Sequence, residues 1–180
     1  MWQNAIQQVL ISQAELQARI QALGKAITAD YHGRELLCIA VLKGAMIFFA
    51  DLVRAVDLPL TVDFMSVASY GPGHVSSGIV RILKDLDEDI AGKQVLIIED
   101  VIDTGLTLHS LLRQLRPRNP VDLNICVLLN KPLRRCVDLP IHYKGFDIPD
   151  LFVVGYGLDY QGRYRNLPFI GTLRPELLQG

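Results

Sequence analysis

The sequence predicts an α/β fold: a central parallel sheet flanked by helices, with a smaller strand-rich part at the C-terminal end. Three observations carry this expectation. Runs of uninterrupted aliphatic residues, LLCIAVL at 36–42 and VLII at 95–98, lack polar alternation and read as strands covered on both faces. Segments with helical spacing lie between such runs, so the strands pair in parallel through right-handed crossovers. The chain has 180 residues, 50% of them hydrophobic, and no internal repeat, low-complexity tract or linker divides it. One domain spanning 1–180 is therefore expected.

In chain order, Ser12 and Glu15 form a capping box, and Leu16, Ile20, Leu23 and Ile27 recur at helical spacing until Gly33 stops the pattern. The strand at 36–42 follows, bounded by Lys43 and Gly44. Residues 45–56 return to helical spacing through Met46, Phe49, Leu52 and Val56, and 60–67 read as a second strand. Residues 69–78, SYGPGHVSSG, hold seven Gly, Ser or Pro among ten, which leaves little to pack on a core; they read as a loop and a candidate lid. Residues 79–83 resemble the return arm of a hairpin, 94–98 a third buried strand, 105–115 a helix and 124–129 a fourth strand. Short strand patterns at 151–154 and 169–173 complete the chain.

Eighteen Lys and Arg against nineteen Asp and Glu leave a net charge of -1, so no basic excess exists to hold a phosphate polymer, and no nucleic-acid partner is expected. The longest apolar run is far short of the ~20 residues that cross a bilayer, and the N-terminus lacks the basic head and apolar stretch of a secretory leader. Neither membrane insertion nor secretion is expected. Cys38, Cys126 and Cys136 are odd in number, without metal-type spacing, and two lie in apolar segments; they read as reduced packing residues of a cytoplasmic protein.

The most informative segment is VLIIEDVIDTGLTL at 95–108. Four aliphatics bury a strand, then Glu99, Asp100 and Asp103 appear where it is expected to end. Carboxylates are costly to bury unless paired or bound to cations, so three here point to a polar ligand or metal at the carboxyl edge of the sheet. Asp103, Thr104, Gly105, Leu106 and Thr107 then turn into a helix, which offers a phosphate unpaired amides, two hydroxyls and a glycine that admits close approach. No GxGxxG opens a helix, and the Lys-Ser/Thr of a nucleotide-triphosphate loop is missing. The pair suits a sugar phosphate, with carboxylates for ribose hydroxyls and Mg2+ and amides for the 5-phosphate. The plain alternative is an N-cap Asp with ordinary turn chemistry.

The segment EDVIDTGLTL resembles the phosphoribosyl-diphosphate motif of type I phosphoribosyltransferases, and its Glu-Asp-x-x-Asp-Thr-Gly form resembles the hypoxanthine-guanine branch. VLKGAMIFFADLVR around Lys43, VASYG around Tyr70, LLNKP at Lys131, FDIPDLFVVGYGLDY and RYRNLPFIGTL agree in order and spacing. The resemblance implies the type I phosphoribosyltransferase fold, a parallel sheet flanked by helices with a small C-terminal hood. It further implies transfer of a 5-phosphoribosyl group from phosphoribosyl diphosphate to N9 of a 6-oxopurine, with Mg2+, by a homodimer or homotetramer.

Residue by residue, the resemblance makes Asp103 the general acid/base at purine N7. Glu99 and Asp100 meet the ribose hydroxyls directly or through Mg2+, and Asp159 is a third acidic position near the base and a second metal. Lys43 and Gly44, often around a cis peptide, and Arg165 hold diphosphate. Lys131 meets the purine 6-oxo group, Phe152 stacks on the ring, Val153 faces its edge, and Ser69 and Tyr70 begin the closing loop. Read without the resemblance, Asp159, Lys131 and Arg165 are solvated surface residues and Phe152 belongs to the core. An ammonium has only donors, so Lys131 suits hypoxanthine or guanine and meets a competing donor in adenine. Leu106 departs from the polar or basic residue of many relatives, which would tune an amide-based phosphate loop rather than abolish it. A xanthine- or hypoxanthine-preferring homologue and a non-catalytic nucleotide sensor are the competing readings; the complete set Asp103, Lys131, Asp159 and Arg165 argues against the sensor.

Overall fold

The computed structural model of the chain describes residues 2–69 and 80–178. Strand β1 (Ile6–Ile11) precedes helix α1 (Gln13–Asp30), whose capping box forms as expected: Ser12 Oγ accepts from the Glu15 amide at 3.3 Å and Glu15 Oε2 accepts from the Ser12 amide at 2.8 Å. Strand β2 (Leu36–Leu42), helix α2 (Met46–Ala55), strand β3 (Leu60–Ser69) and strand β4 (Val80–Lys84) follow. Then come β5 (Gln94–Ile102), α3 (Leu106–Leu115), β6 (Asp122–Asn130), β7 (Tyr143–Asp147), β8 (Val153–Val154) and β9 (Ile170–Leu173).

Six strands form the main sheet in the order β4-β3-β2-β5-β6-β7. β3, β2, β5, β6 and β7 pair in parallel, and β4 runs antiparallel at the edge as the return arm of its hairpin. The aliphatic runs are continuous because helices cover both faces. Cys38 and Ala40 of β2, Leu96 and Ile98 of β5 and Cys126 of β6 pack with Leu16, Ile20, Phe48 and Leu52 of α1 and α2. Ile39, Val41, Val95, Ile97, Ile125 and Val127 pack with Leu108, Leu111, Leu112 and Leu115 of α3 on the other face. Burying each such side chain is worth roughly 1.5–3 kcal/mol.

Two strands carry no signal in the sequence. In β1, IQQVLI, only Ile11 is fully covered, and in β7, YKGFD, Lys144 and Gly145 interrupt an edge strand; neither makes the apolar run or strict alternation that marks a strand. A third difference touches the site directly. β5 does not stop at Ile98 but continues through Glu99 and Asp100 to Ile102. Its facing also reverses there: Val101 packs on the α1/α2 side with Leu96 and Ile98, and Ile102 on the α3 side with Val95 and Ile97. The reversal falls on the two adjacent carboxylates.

Across the other edge of the molecule, β1, β9 and β8 form a small antiparallel sheet with its own core of Val154, Leu167, Phe169 and Leu173, the expected strand-rich C-terminal part. Between β8 and β9 the chain folds back on itself through Gly157 N–H to Arg165 O (2.9 Å) and Tyr156 N–H to Leu167 O (2.9 Å). The Tyr156 hydroxyl reaches Asp51 on α2 and ties this segment to the main body. The apolar segment 45–56 is largely consumed by the core: Phe48, Phe49 and Leu52 are buried, and Met46 is its one strongly exposed large apolar residue. The loop expected to act as a lid lies outside the described residues from Tyr70 to 79; Ser69 ends β3.

Candidate active site

The carboxyl ends of β2, β5 and β6 open on one cleft of about 470 Å³, where ligands of parallel α/β sheets bind. After β2, Lys43 and Gly44 form its near wall, and the Leu42–Lys43 peptide bond is cis. β5 brings Glu99, Asp100 and Asp103, and the start of α3 brings Thr104, Gly105 and Thr107. From the end of β6 comes Lys131, and the folded-back C-terminal segment adds Phe152, Val153, Asp159 and Arg165. Leu106 does not line the cleft: its side chain is half-buried beside it, and its amide donates to Thr104 Oγ1 at 3.4 Å.

Gly105 occupies the turn from β5 into α3 at φ +83, a conformation that an L side chain adopts only under strain. Its added Cβ would also press on Leu139 and Val137 at 3.0 Å. The start of α3 therefore lies against the cleft, where the partial positive charge of a helix N-terminus favours an anion. Gly44 answers a different need. A Cβ there would overlap the Asp100 carboxylate, so only glycine lets the chain after β2 pass so close to it.

Glu99 is buried and Asp100 half-buried. Burial, and then the Asp100 charge, push the Glu99 carboxyl well above the ordinary carboxylate range, and burial also raises Asp100, opposed by a bond from the Val101 amide at 2.7 Å and by Arg165. Oxygen donors with poorly compensated negative charge beside an open cleft are what a hard divalent ion takes. Among the described residues no three acidic, His or Cys side chains converge as a complete cage, so an ion here would take waters and substrate oxygens as well.

A raised folded-state pKa makes Glu99 a cost that grows as pH climbs above the unfolded value near 4.5, and below that value the cost vanishes because both states are protonated. Glu99→Gln, which does not titrate, is expected to unfold about 3 °C higher than the natural chain at pH 8 without divalent ions, with the gain shrinking toward pH 4.5. Thermal unfolding across that range checks it; a gain that is constant with pH counts against a buried acid.

Asp159 and Arg165 brace each other: Arg165 Nη2 lies 2.6 Å from Asp159 Oδ1, its Nη1 donates to Gly157 O at 2.6 Å, and the Gly162 amide donates to Asp159 Oδ2 at 2.7 Å. Phe152 is 48% exposed, so it is not the core residue its strand-like neighbours suggest. Its ring meets Tyr160 edge-on at 5.7 Å. Lys131 is only 9% exposed, but its ammonium reaches the cleft 3.9 Å from Asp103 Oδ2.

Two residues at the site were not singled out from the sequence. Arg134 Nε lies 2.9 Å from Asp103 Oδ1, and Asp150 lies 3.3 Å from Arg134 Nη1 and 4.0 Å from Lys131 Nζ. Both stand in or beside quoted segments, LLNKP and FDIPD, where charge next to Lys131 and Phe152 was the available signal.

A fold with this sheet order and a carboxylate–amide cleft at its carboxyl edge defines the class. The model for the phosphoribosyl transferase domain matches residues 6–161, and the chain belongs to that family. The hypoxanthine-guanine phosphoribosyltransferase of Mycobacterium avium is 54% identical over 180 residues, covering 97% of this chain and 89% of that one. That of Bacillus subtilis is 49% identical over 179 residues, covering 99% of both. The crystal structure of a hypoxanthine phosphoribosyltransferase from Staphylococcus aureus superposes with a TM-score of 0.96 at 47% identity, covering 99% of this chain and 97% of that one. Within the family, the chain is grouped by these relatives with the hypoxanthine-guanine phosphoribosyltransferases.

Proposed function

We propose that the cleft transfers the 5-phosphoribosyl group of phosphoribosyl diphosphate to N9 of hypoxanthine or guanine, a purine-salvage reaction that yields IMP or GMP and diphosphate. The observation that carries this reading is the placement of Asp103 Oδ2 and Lys131 Nζ 3.9 Å apart on the cleft wall. A 6-oxopurine presents O6 and N7 side by side on one edge. Nζ donates to O6, and Oδ2 accepts the proton that N7 sheds as N9 attacks. Phe152 covers one ring face and Val153 meets the remaining edge.

In the reaction the bond from ribose C1 to the diphosphate oxygen breaks, the pair leaving with diphosphate, while the C1–N9 bond forms and the N7 proton passes to Asp103. The amides of Thr104, Gly105 and Thr107 hold the 5-phosphate at the start of α3, joined by that of Leu106 once the phosphate displaces Thr104 Oγ1 from it. Glu99 and Asp100 orient the ribose hydroxyls. Lys43, Gly44 and Arg165 take the diphosphate, Arg165 with a planar fork already aimed by Gly157 and Asp159. Mg2+, when bound through Glu99, Asp100 or Asp159, offsets the charge that grows on the departing diphosphate. Ser69 and Tyr70 begin the segment that would close over the reacting centre and exclude water. The whole chain acts as one cytoplasmic domain, in a dimer or tetramer as the family resemblance implies; no helix among the described residues is long and apolar enough to cross a membrane.

The test is incubation of the purified protein with phosphoribosyl diphosphate, Mg2+ and, in parallel, hypoxanthine, guanine, xanthine or adenine, with nucleotide and diphosphate both measured. Stoichiometric nucleotide and diphosphate from hypoxanthine and guanine is the expected result. Binding of nucleotide without turnover of any base would favour a sensor instead.

A further inference from the structure

Asp103, Arg134, Asp150 and Lys131 close a ring of alternating charge: Asp103 Oδ1 to Arg134 Nε at 2.9 Å, Arg134 Nη1 to Asp150 Oδ2 at 3.3 Å, Asp150 Oδ1 to Lys131 Nζ at 4.0 Å, and Lys131 Nζ to Asp103 Oδ2 at 3.9 Å. The ring joins three separate segments: the turn from β5 into α3, the turn after β6, and the stretch before Phe152. Arg134, Asp103 and Asp150 are each 40–48% exposed at the side chain, so the ring adds little to stability. Its effect lies in orientation.

The ring divides into two halves with different strength. Arg134 grips its two carboxylates at hydrogen-bonding distance, and Lys131 faces the same two at the loose limit of an ion pair. A purine edge entering the cleft replaces the loose half, O6 taking the ammonium and N7–H taking Oδ2. The tight half is untouched. Arg134 then still occupies Oδ1, which fixes the carboxylate plane and leaves one oxygen to receive the proton, and Asp150 keeps Arg134 in place.

We propose that Arg134, itself held by Asp150, is a positioning residue that presents Asp103 Oδ2 to purine N7. The proposal rests on the reaction assigned above and deepens it. Arg134 touches no reacting atom in this scheme, so its whole contribution passes through Asp103. That makes a sharp demand on a double-mutant cycle, because a residue acting through another loses its effect once the second is gone.

The experiment measures kcat and both KM values with hypoxanthine for the natural chain, Arg134→Gln, Asp103→Asn and the double variant. Misplacement of a catalytic group by a fraction of an ångström costs rate, so Arg134→Gln should lower kcat about tenfold and leave KM for phosphoribosyl diphosphate within about twofold. In the Asp103→Asn background the same change should alter kcat by less than about twofold. An equal loss in both backgrounds, or no loss in the natural background, overturns the positioning role while the transferase reading stands. Absence of turnover by the unmodified chain with all four bases overturns the transferase reading itself.

Discussion

Asp103→Asn is expected to lower kcat by ~10²–10⁴-fold, the usual contribution of a positioned general acid or base, while the thermal unfolding midpoint stays nearly unchanged. Asn keeps the size and one oxygen of the side chain, so Arg134 Nε can still donate to it, but an amide takes no proton from N7. Because the Asp103 side chain is 40% exposed, no large packing loss accompanies the change. Steady-state rates with hypoxanthine, paired with a melting curve, separate the two effects. Near-normal turnover would remove Asp103 from the mechanism.

Gly44→Ala should be nearly as damaging for a steric reason. The added Cβ lies on top of the Asp100 carboxylate, with Cγ only 2.6 Å away. Asp100 cannot swing aside freely, since its Oδ1 holds the Val101 amide at 2.7 Å in the strand backbone. Either the turn after β2 withdraws or the carboxylate turns, and each displaces a group assigned to the diphosphate or the ribose. A drop of about 100-fold in kcat/KM for phosphoribosyl diphosphate is expected, on the scale of an ångström-sized misplacement. A value within threefold of the natural chain would show that Gly44 and Asp100 do not frame the sugar-phosphate site together.

These two residues also show how legibility in the sequence divides. The run 36–42 announced β2 because a strand covered by α1 and α2 on one face and α3 on the other must be apolar throughout. β1 and β7, at the margins of their sheets, bury too little to make such a run. Glu99 and Asp100, which line the cleft, were legible as candidate site residues, but not as members of β5, since two adjacent carboxylates break the apolar pattern that defines a strand end. Of the cleft residues read from motifs, Lys43, Gly44, Asp103, Lys131, Phe152, Asp159 and Arg165 all converge on one cavity. The Arg134 bond to Asp103 was not readable, because it joins residues 31 apart through a turn whose geometry no periodicity encodes.

Base discrimination is the most direct measure of the central claim, that Lys131 and Asp103 together read the O6 and N7 edge of a 6-oxopurine. The measurement is the ratio of kcat/KM for hypoxanthine to that for adenine, taken for the natural chain and for Lys131→Met. A site that must hydrogen-bond its substrate rejects a mismatched analogue by roughly 10⁴-fold, so a ratio of about that size is expected, falling by at least about 100-fold in the variant. Comparable use of adenine by the natural chain, or a ratio unmoved by Lys131→Met, would contradict it.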